Sequence, residues 1–215
     1  MIARFATEYA EIVAGARHVG DPLRRATLAP LRSAIAAALA DEPRLVTGAG
    51  VVVCPDLLGD APLWLEWWTT SAPGPPQPLR PNLDPASVWF YDYTEAEWFT
   101  APRDTAQRSL VGPYVDIGGT NDYMLTLTMA ARLGTEFLGV AGADIAIDSL
   151  ELVVRQHTRR LGAHAILVNT EGRVIASSTG QAHPGALLSA SRAPLLERHS
   201  ASACPGLPLT LLVAR

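Results

Sequence analysis

The sequence contains no lysine: all 17 basic residues among its 215 are arginine. A chain without lysine cannot form a Schiff base through its side chains, anchor pyridoxal phosphate or build the lysine-containing phosphate loop of P-loop proteins. The Gly-x-Ser-x-Gly, His-Glu-x-x-His and Gly-x-Gly-x-x-Gly patterns are missing as well. The sequence therefore predicts a protein that is not an enzyme and uses no cofactor.

Cysteines and long apolar runs are also scarce, and the net charge is small. Cys54 and Cys204 are far apart in sequence and show no zinc-ligand spacing, and the histidines show no metal spacing. No window approaches 18 uninterrupted apolar residues, and acidic residues stand where a signal peptide would be apolar. The formal net charge is −4, and the arginines form no stripe. We predict a soluble, cytoplasmic protein that contacts neither nucleic acid nor membrane.

The N-terminal segment, residues 1–44, has a helical pattern. Apolar residues recur there at steps of three and four, with Phe5, Tyr9, Leu31 and Ile35 as examples. Gly20, Asp21 and Pro22 interrupt the pattern. We therefore expect two amphipathic helices.

Residues 45–150 have the pattern of an antiparallel sheet of about five strands. A β-branched run at 46–55 predicts a buried central strand, and 62–70 predicts a second strand. A proline-rich loop is expected at 72–85, and a three-strand meander at 113–147. Thr94 and Glu97 fit a capping box for a short helix between these parts.

The C-terminal part, residues 151–215, predicts a helix followed by a truncated second β unit. Asp148 and Ser149 are expected to cap this helix, and Gly162 to end it. A hairpin at 164–177 and a strand at 207–213 follow. The fold class is therefore α+β.

Aromatic residues are concentrated in the middle of the chain, where nine of the fourteen lie between Trp64 and Phe99. Such a concentration indicates either a lined pocket or an aromatic core wall. Glu66 and Asp92 are acids within aromatic segments, and alternation predicts that both side chains point outward.

Three motifs together resemble the Cache family, the PAS-like ligand-sensing domains of chemoreceptors and sensor kinases. They are the pair Trp98-Phe99, the Pro-Tyr-x-Asp strand that holds Tyr114 and Asp116, and Gly-Val-x-Gly-x-Asp-Ile at residues 139–145. The hairpin at residues 167–176 is similar to the start of a second Cache module. The likeness extends over roughly residues 45–180 and implies a PAS-like antiparallel sheet.

The branch that this chain resembles most is the double Cache domains that bind amino acids. The resemblance implies that two carboxylates contact the ligand ammonium, surrounded by aromatic side chains. The predicted ligand-binding residues are Trp98, Phe99, Tyr114, Asp116, Asp144, Tyr91 and Tyr93. Phe99 takes a position that is usually tyrosine.

The family's carboxylate-binding arginine corresponds here to Ala96. Arg103 or Arg108 could replace it only if the helix after Trp98 turned them inward. We therefore expect an amine-like or amino-acid-like ligand rather than an ordinary α-amino acid. Two structural interpretations remain open: Asp144 could cap the following helix, and Asp116 could serve the turn at 118–119.

The predicted function is small-molecule sensing with output through a partner, either a separate regulatory protein or a second copy of the chain. The resemblance places the contact surface for a homodimer on the N-terminal helices. An interaction or scaffold protein with a filled pocket is the main alternative, and an enzyme is the less favoured one.

Overall fold

The computed structural model describes residues 1–41, 45–70, 74–188 and 199–214. They form two compact units, one of Met1–Val111, Val115–Asp122 and Thr126–Ile145, the other of Gly112–Tyr114, Tyr123–Leu125 and the chain from Ala146 onward. The helices are α1 (Ile2–His18), α2 (Leu31–Asp41), α3 (Glu97–Thr105) and α4 (Ile147–Leu161), with a 3-10 turn at Arg25–Leu28. The strands are β1 (Val46–Val53), β2 (Leu65–Thr69), β3 (Gln77–Pro78), β4 (Ser109–Val115), β5 (Tyr123–Leu133), β6 (Glu136–Ala146), β7 (His164–Asn169), β8 (Val174–Ser177), β9 (Ser200–Ala203) and β10 (Leu209–Ala214).

The larger sheet has the strand order β3-β2-β1-β6-β5-β4, and β1 pairs antiparallel with both β2 and β6. The predicted central strand and meander are confirmed. The sheet has a sixth strand, β3, where the prediction had about five strands, because the sequence predicted a loop for the proline-rich segment. It lies at the sheet edge, where a proline without an N–H disrupts no ladder.

The first core lies between this sheet and helices α1 and α2. Phe5, Tyr9 and Ile35 project from the helices and are fully buried against strand residues such as Val51 and Val53. The alternating residues of β1 therefore have different surroundings: one set meets the helices, and the other, which contains Gly48, lies on the opposite face. The predicted N-terminal amphipathic helices are confirmed.

The second unit contains a four-stranded antiparallel sheet in the order β8-β7-β10-β9. Helix α4 packs on β7 and β8, and Ile166, Val174 and Leu212 form part of its core. The predicted hairpin and final strand are confirmed. Strand β9 was missed because its four residues, Ser-Ala-Ser-Ala, are small, exposed and without alternation.

Helix α4 ends as predicted, with Gly162 in the left-handed conformation at φ 59°. Both predicted N-terminal caps are wrong. Helix α4 starts after Ala146, so that Asp148 lies in its first turn, and α3 starts after Ala96. The Thr94 hydroxyl and amide instead donate to Asp92, which keeps Thr94 outside the helix.

Across the described residues, no helix is both long enough and apolar enough to cross a bilayer.

Candidate functional site

Gly48 and Gly142 leave room for neighbouring side chains on the sheet face opposite α1 and α2. Gly48 of β1 lies beside Asp144 of β6, and Gly142 of β6 lies beside Gly50 of β1. A Cβ on Gly48 would lie 2.7 Å from Asp144 Oδ2 and 2.9 Å from Trp67 Nε1. Because Gly48 has no side chain, the carboxyl group of Asp144 reaches across β1 to the indole of Trp67 on β2.

Asp144 is buried, with 5% of its surface exposed, and two neutral groups hold it. Trp67 Nε1 donates to Oδ2 at 3.0 Å, and Thr126 Oγ1 donates to Oδ1 at 2.8 Å. These bonds join Asp144 to strands on both sides of β6, so the helix-capping interpretation of Asp144 is wrong. Neither Trp67 nor Thr126 was predicted, although the glycines within strands β1 and β6 signalled a close approach on this face.

The pKa of Asp144 is raised from 3.8 to about 7, mainly because burial removes water from the carboxylate. The negative charges of Asp116 and Asp122 raise it too, whereas the hydrogen bonds from Thr126 and Trp67 act in the opposite direction. Near neutral pH this carboxyl group therefore exchanges readily between its neutral and its charged form. A nearby cation would favour the charged form.

Asp116 is also buried, and its carboxylate closes the turn at 117–121. Thr120 N donates to Oδ2 at 2.8 Å, and the Tyr91 hydroxyl donates to Oδ1 at 2.8 Å. A Cβ at Gly119 would overlap Asp116 Oδ2, so the turn needs glycine there. The predicted turn role of Asp116 is therefore present, and the bond from Tyr91 fastens the segment before α3 to this turn.

The aromatic residues around α3 pack chiefly against each other. Phe99 lies edge-to-face with Tyr93, at 5.2 Å between ring centroids, and Phe137, at 5.5 Å. The buried Tyr93 hydroxyl donates to Val53 O at 2.8 Å and accepts from the backbone N–H of Trp64 at 3.2 Å. Their burial and hydrogen bonding explain Tyr93 and Phe99 as core residues.

Trp98 packs edge-to-face with Phe99 and is almost fully buried. Its backbone carbonyl accepts from Thr128 Oγ1 at 2.6 Å, which fixes the start of α3 to β5. Tyr114 is half-buried in β4 and belongs to the second compact unit. The ligand contacts of Trp98, Tyr114 and the other site residues remain predictions.

The outward orientation of Glu66 is wrong, whereas Asp92 is exposed as predicted. Glu66 is fully buried on the face of β2 that α2 covers. Arg32 Nε donates to it at 2.9 Å and Trp68 Nε1 at 2.9 Å. Alternation separated the two faces of β2 but gave no sign that helix α2 covers Glu66 and supplies its partner, Arg32.

Neither Arg103 nor Arg108 replaces the arginine that is missing at Ala96. Arg103 is exposed and pairs with Asp104 at 2.7 Å, and Arg108 is exposed. In the described part of the chain, neither Asp116 nor Asp144 forms an ion pair. The site therefore consists of two buried carboxyl groups that interact electrostatically and have neutral hydrogen-bond donors.

Residues 82–152 match the sequence profile of the family described as "Methyl-accepting chemotaxis protein-like, first PDC sensor domain". The chain is 27% identical over 97 residues to the methyl-accepting chemotaxis protein PctB of Pseudomonas aeruginosa, covering 45% of this chain and 15% of PctB. It is 31% identical over 88 residues to McpA of Pseudomonas putida, covering 40% of this chain and 14% of McpA. The matches thus span less than one sixth of either relative.

Solved structures extend the likeness to nearly the whole chain. The ligand-binding domain of the Campylobacter jejuni chemoreceptor Tlp3, in complex with 4-methylisoleucine, superposes with a TM-score of 0.63 at 12% identity, covering 99% of this chain and 79% of that one. A structure named methyl-accepting chemotaxis protein X gives 0.63 at 14% identity, covering 99% and 92%. The chain therefore has the α+β fold of the PDC/Cache-like ligand-binding domains, as its sequence predicted.

Proposed function

We propose that this chain is a sensor domain that binds a small molecule with an ammonium group beside Asp144 and Asp116. The observation that carries the proposal is that both carboxyl groups are buried and neither has a cationic partner within the described residues. A buried negative charge without a counterion is costly, and a bound ammonium ion would supply that counterion.

The buried Glu66 shows how this fold compensates an acid that is purely structural. Its carboxylate has the Arg32 guanidinium at 2.9 Å as a counterion. Within the described residues, the donors to Asp144 are an indole N–H and a threonine hydroxyl, and those to Asp116 are a tyrosine hydroxyl, a threonine hydroxyl and a backbone N–H. The lack of a counterion among the described residues thus distinguishes Asp144 and Asp116 from Glu66.

The charge of the site favours an amine over a simple carboxylate. Ala96 provides no guanidinium, and negative charge from Asp116 and Asp122 acts on Asp144. In this proposal, the aromatic rings of Trp98 and Tyr91 add cation–π attraction for the same group. A ligand such as an amine or a modified amino acid fits this chemistry. Tlp3, which has the same fold, was solved with the amino acid 4-methylisoleucine.

The output of the sensor is proposed from the relatives. PctB and McpA are named as methyl-accepting chemotaxis proteins, and the matched segments are a small part of each. We propose that binding is transmitted to a signalling partner, which is either a separate regulatory protein or a second copy of this chain. The cytoplasmic location stays a prediction.

The proposal is tested by measuring the melting temperature with panels of amines, amino acids and carboxylates. Occupancy at 100 times the dissociation constant adds about 2.7 kcal/mol of stability, which gives a clear thermal shift. We expect an amine to raise the melting temperature of the parent and of the control Asp104→Asn, whose carboxylate is exposed, but not that of Asp144→Asn. Stabilisation by carboxylates alone would contradict the proposal.

A scaffold role with a filled pocket is the second candidate. The observation that favours it is the packing of Tyr93 and Phe99, which are predicted ligand contacts but are fully buried against other side chains. The same screen separates the two functions. If no panel compound shifts the melting temperature, the scaffold interpretation replaces the sensor.

A further inference from the structure

We infer that Trp67 sets the size limit of the proposed ligand site and restricts it to small amines. The inference rests on the proposed function and adds the ligand's size class to it. Trp67 is 4% exposed and lies on the same sheet face as Asp144, and its indole N–H bonds to that carboxyl group.

The indole lies across the two glycines of the central strands. A Cβ on Gly142 would lie 3.0 Å from Trp67 Cη2, and one on Gly48 would lie 2.9 Å from Trp67 Nε1. One end of the ring is therefore against β6 and the other against β1. The depression that the glycines leave in the sheet is occupied by an aromatic side chain of the protein itself.

This position closes the side of Asp144 that faces β1. Thr128, which lies on β5 at the other side of β6, also covers Gly142, because its Cγ2 would lie 2.7 Å from a Cβ there. A ligand that reaches Asp144 cannot extend over the glycines, because the indole fills that volume. Substituents on its ammonium carbon are therefore limited to those that fit without displacing the ring.

Removal of the indole would create a space beside Asp144 on the scale of an aromatic ring. Buried apolar cavities of about 150 Å³ bind benzene in engineered proteins, so such a space can accept an aryl group. Trp67→Ala should therefore admit an amine with a phenyl substituent, whose ring replaces the indole while its ammonium reaches the carboxylate.

The experiment compares the affinities of methylamine, ethylamine and benzylamine for the parent, Trp67→Ala and the control Trp68→Ala. The control removes the neighbouring indole, whose N–H bonds to Glu66 and which packs against the helix-side core. We expect the parent and the control to prefer the small amines. In Trp67→Ala, the ratio of benzylamine to ethylamine affinity should rise at least tenfold.

The affinity ratio separates size from the lost hydrogen bond, because loss of the indole N–H weakens all amines together. If Trp67→Ala does not fold, Trp67→Phe is the second variant to test. It retains a smaller ring, and we expect it to show a smaller rise in the ratio. The inference that Trp67 limits ligand size is overturned, without affecting the proposed function, by either of two results. One is an unchanged ratio in a folded variant, and the other is that benzylamine binds to the parent as tightly as ethylamine. Failure of every amine to bind every protein overturns the proposed function as well.

Discussion

Asp144 combines burial, hydrogen bonds from uncharged donors and neighbouring negative charge, and each of these has a separate physical effect. Burial raises its pKa and is the largest cause, whereas Thr126 and Trp67 hold the carboxyl group in place and oppose the rise. A group with these properties is costly to ionise in the empty protein. The same group becomes a strong partner for an ammonium ion once the ion replaces the missing water.

The raised pKa gives a stability prediction with a definite sign. The folded pKa of about 7 lies above the unfolded 3.8, so the contribution of Asp144 to the stability of the parent falls as pH rises from about 4 to about 7. Asp144→Asn lacks this loss. Its free energy of unfolding relative to the parent should therefore increase over that range, by at most about 4 kcal/mol.

Urea denaturation at pH 5 and pH 8 measures this difference directly. Asp104→Asn is the control, because its exposed carboxylate pairs with Arg103 and has a lowered pKa. An Asp144→Asn difference that is the same at both pH values would show that Asp144 does not titrate near neutrality.

At the scale of secondary structure, β1, β2 and β6 bring the site together through their register. Gly48 pairs with Asp144 on one side and with Thr69 on the other, which places Trp67 two residues from that row. The contact between Asp144 and Trp67 therefore depends on three strands and on the missing side chain at 48. A shift of one residue in any pairing would move one partner to the other face.

The close approach across β1 predicts opposite effects for two glycine substitutions. Gly48→Ala places a Cβ within 2.9 Å of both Asp144 and Trp67 and should lower the free energy of unfolding by about 1–3 kcal/mol. Gly15→Ala is the control, because Gly15 is an exposed residue of helix α1 with open space around it, and the substitution should stabilise the protein by about 0.5–1 kcal/mol. Chemical denaturation measures both, and a neutral Gly48→Ala would contradict the described contact.

The sequence predicted the elements better than their contacts. Periodicity identified α1, α2, the meander and the hairpin, since these depend on local alternation. It could not identify Trp67 and Thr126 as partners of Asp144, because cross-strand neighbours depend on register. Glu66 was misplaced for a related reason: its counterion Arg32 is on a helix 34 residues earlier in the chain. Asp116 and Asp144 were selected through the family resemblance.

At the scale of the whole molecule, the chain has two compact units, and both carboxyl groups of the candidate site, Asp116 and Asp144, belong to the first. The matched profile at 82–152 contains all the predicted site residues but neither N-terminal helix. The fold likeness, by contrast, extends over 99% of the chain. The segment that carries the predicted site residues thus matches a chemoreceptor-like sequence profile, whereas the fold likeness to solved structures extends beyond it.

The most direct test of the proposed cation site is a calorimetric titration of the protein with ethylamine at several pH values between 5.5 and 8.5. If Asp144 must be charged to bind the ammonium ion, the affinity of the parent should rise about tenfold per pH unit below pH 7 and level off above it. Asp144→Asn should bind at least tenfold more weakly at pH 8 and without this slope. Equal, pH-independent affinities for the two proteins would contradict the assignment of Asp144 as the ammonium-binding group.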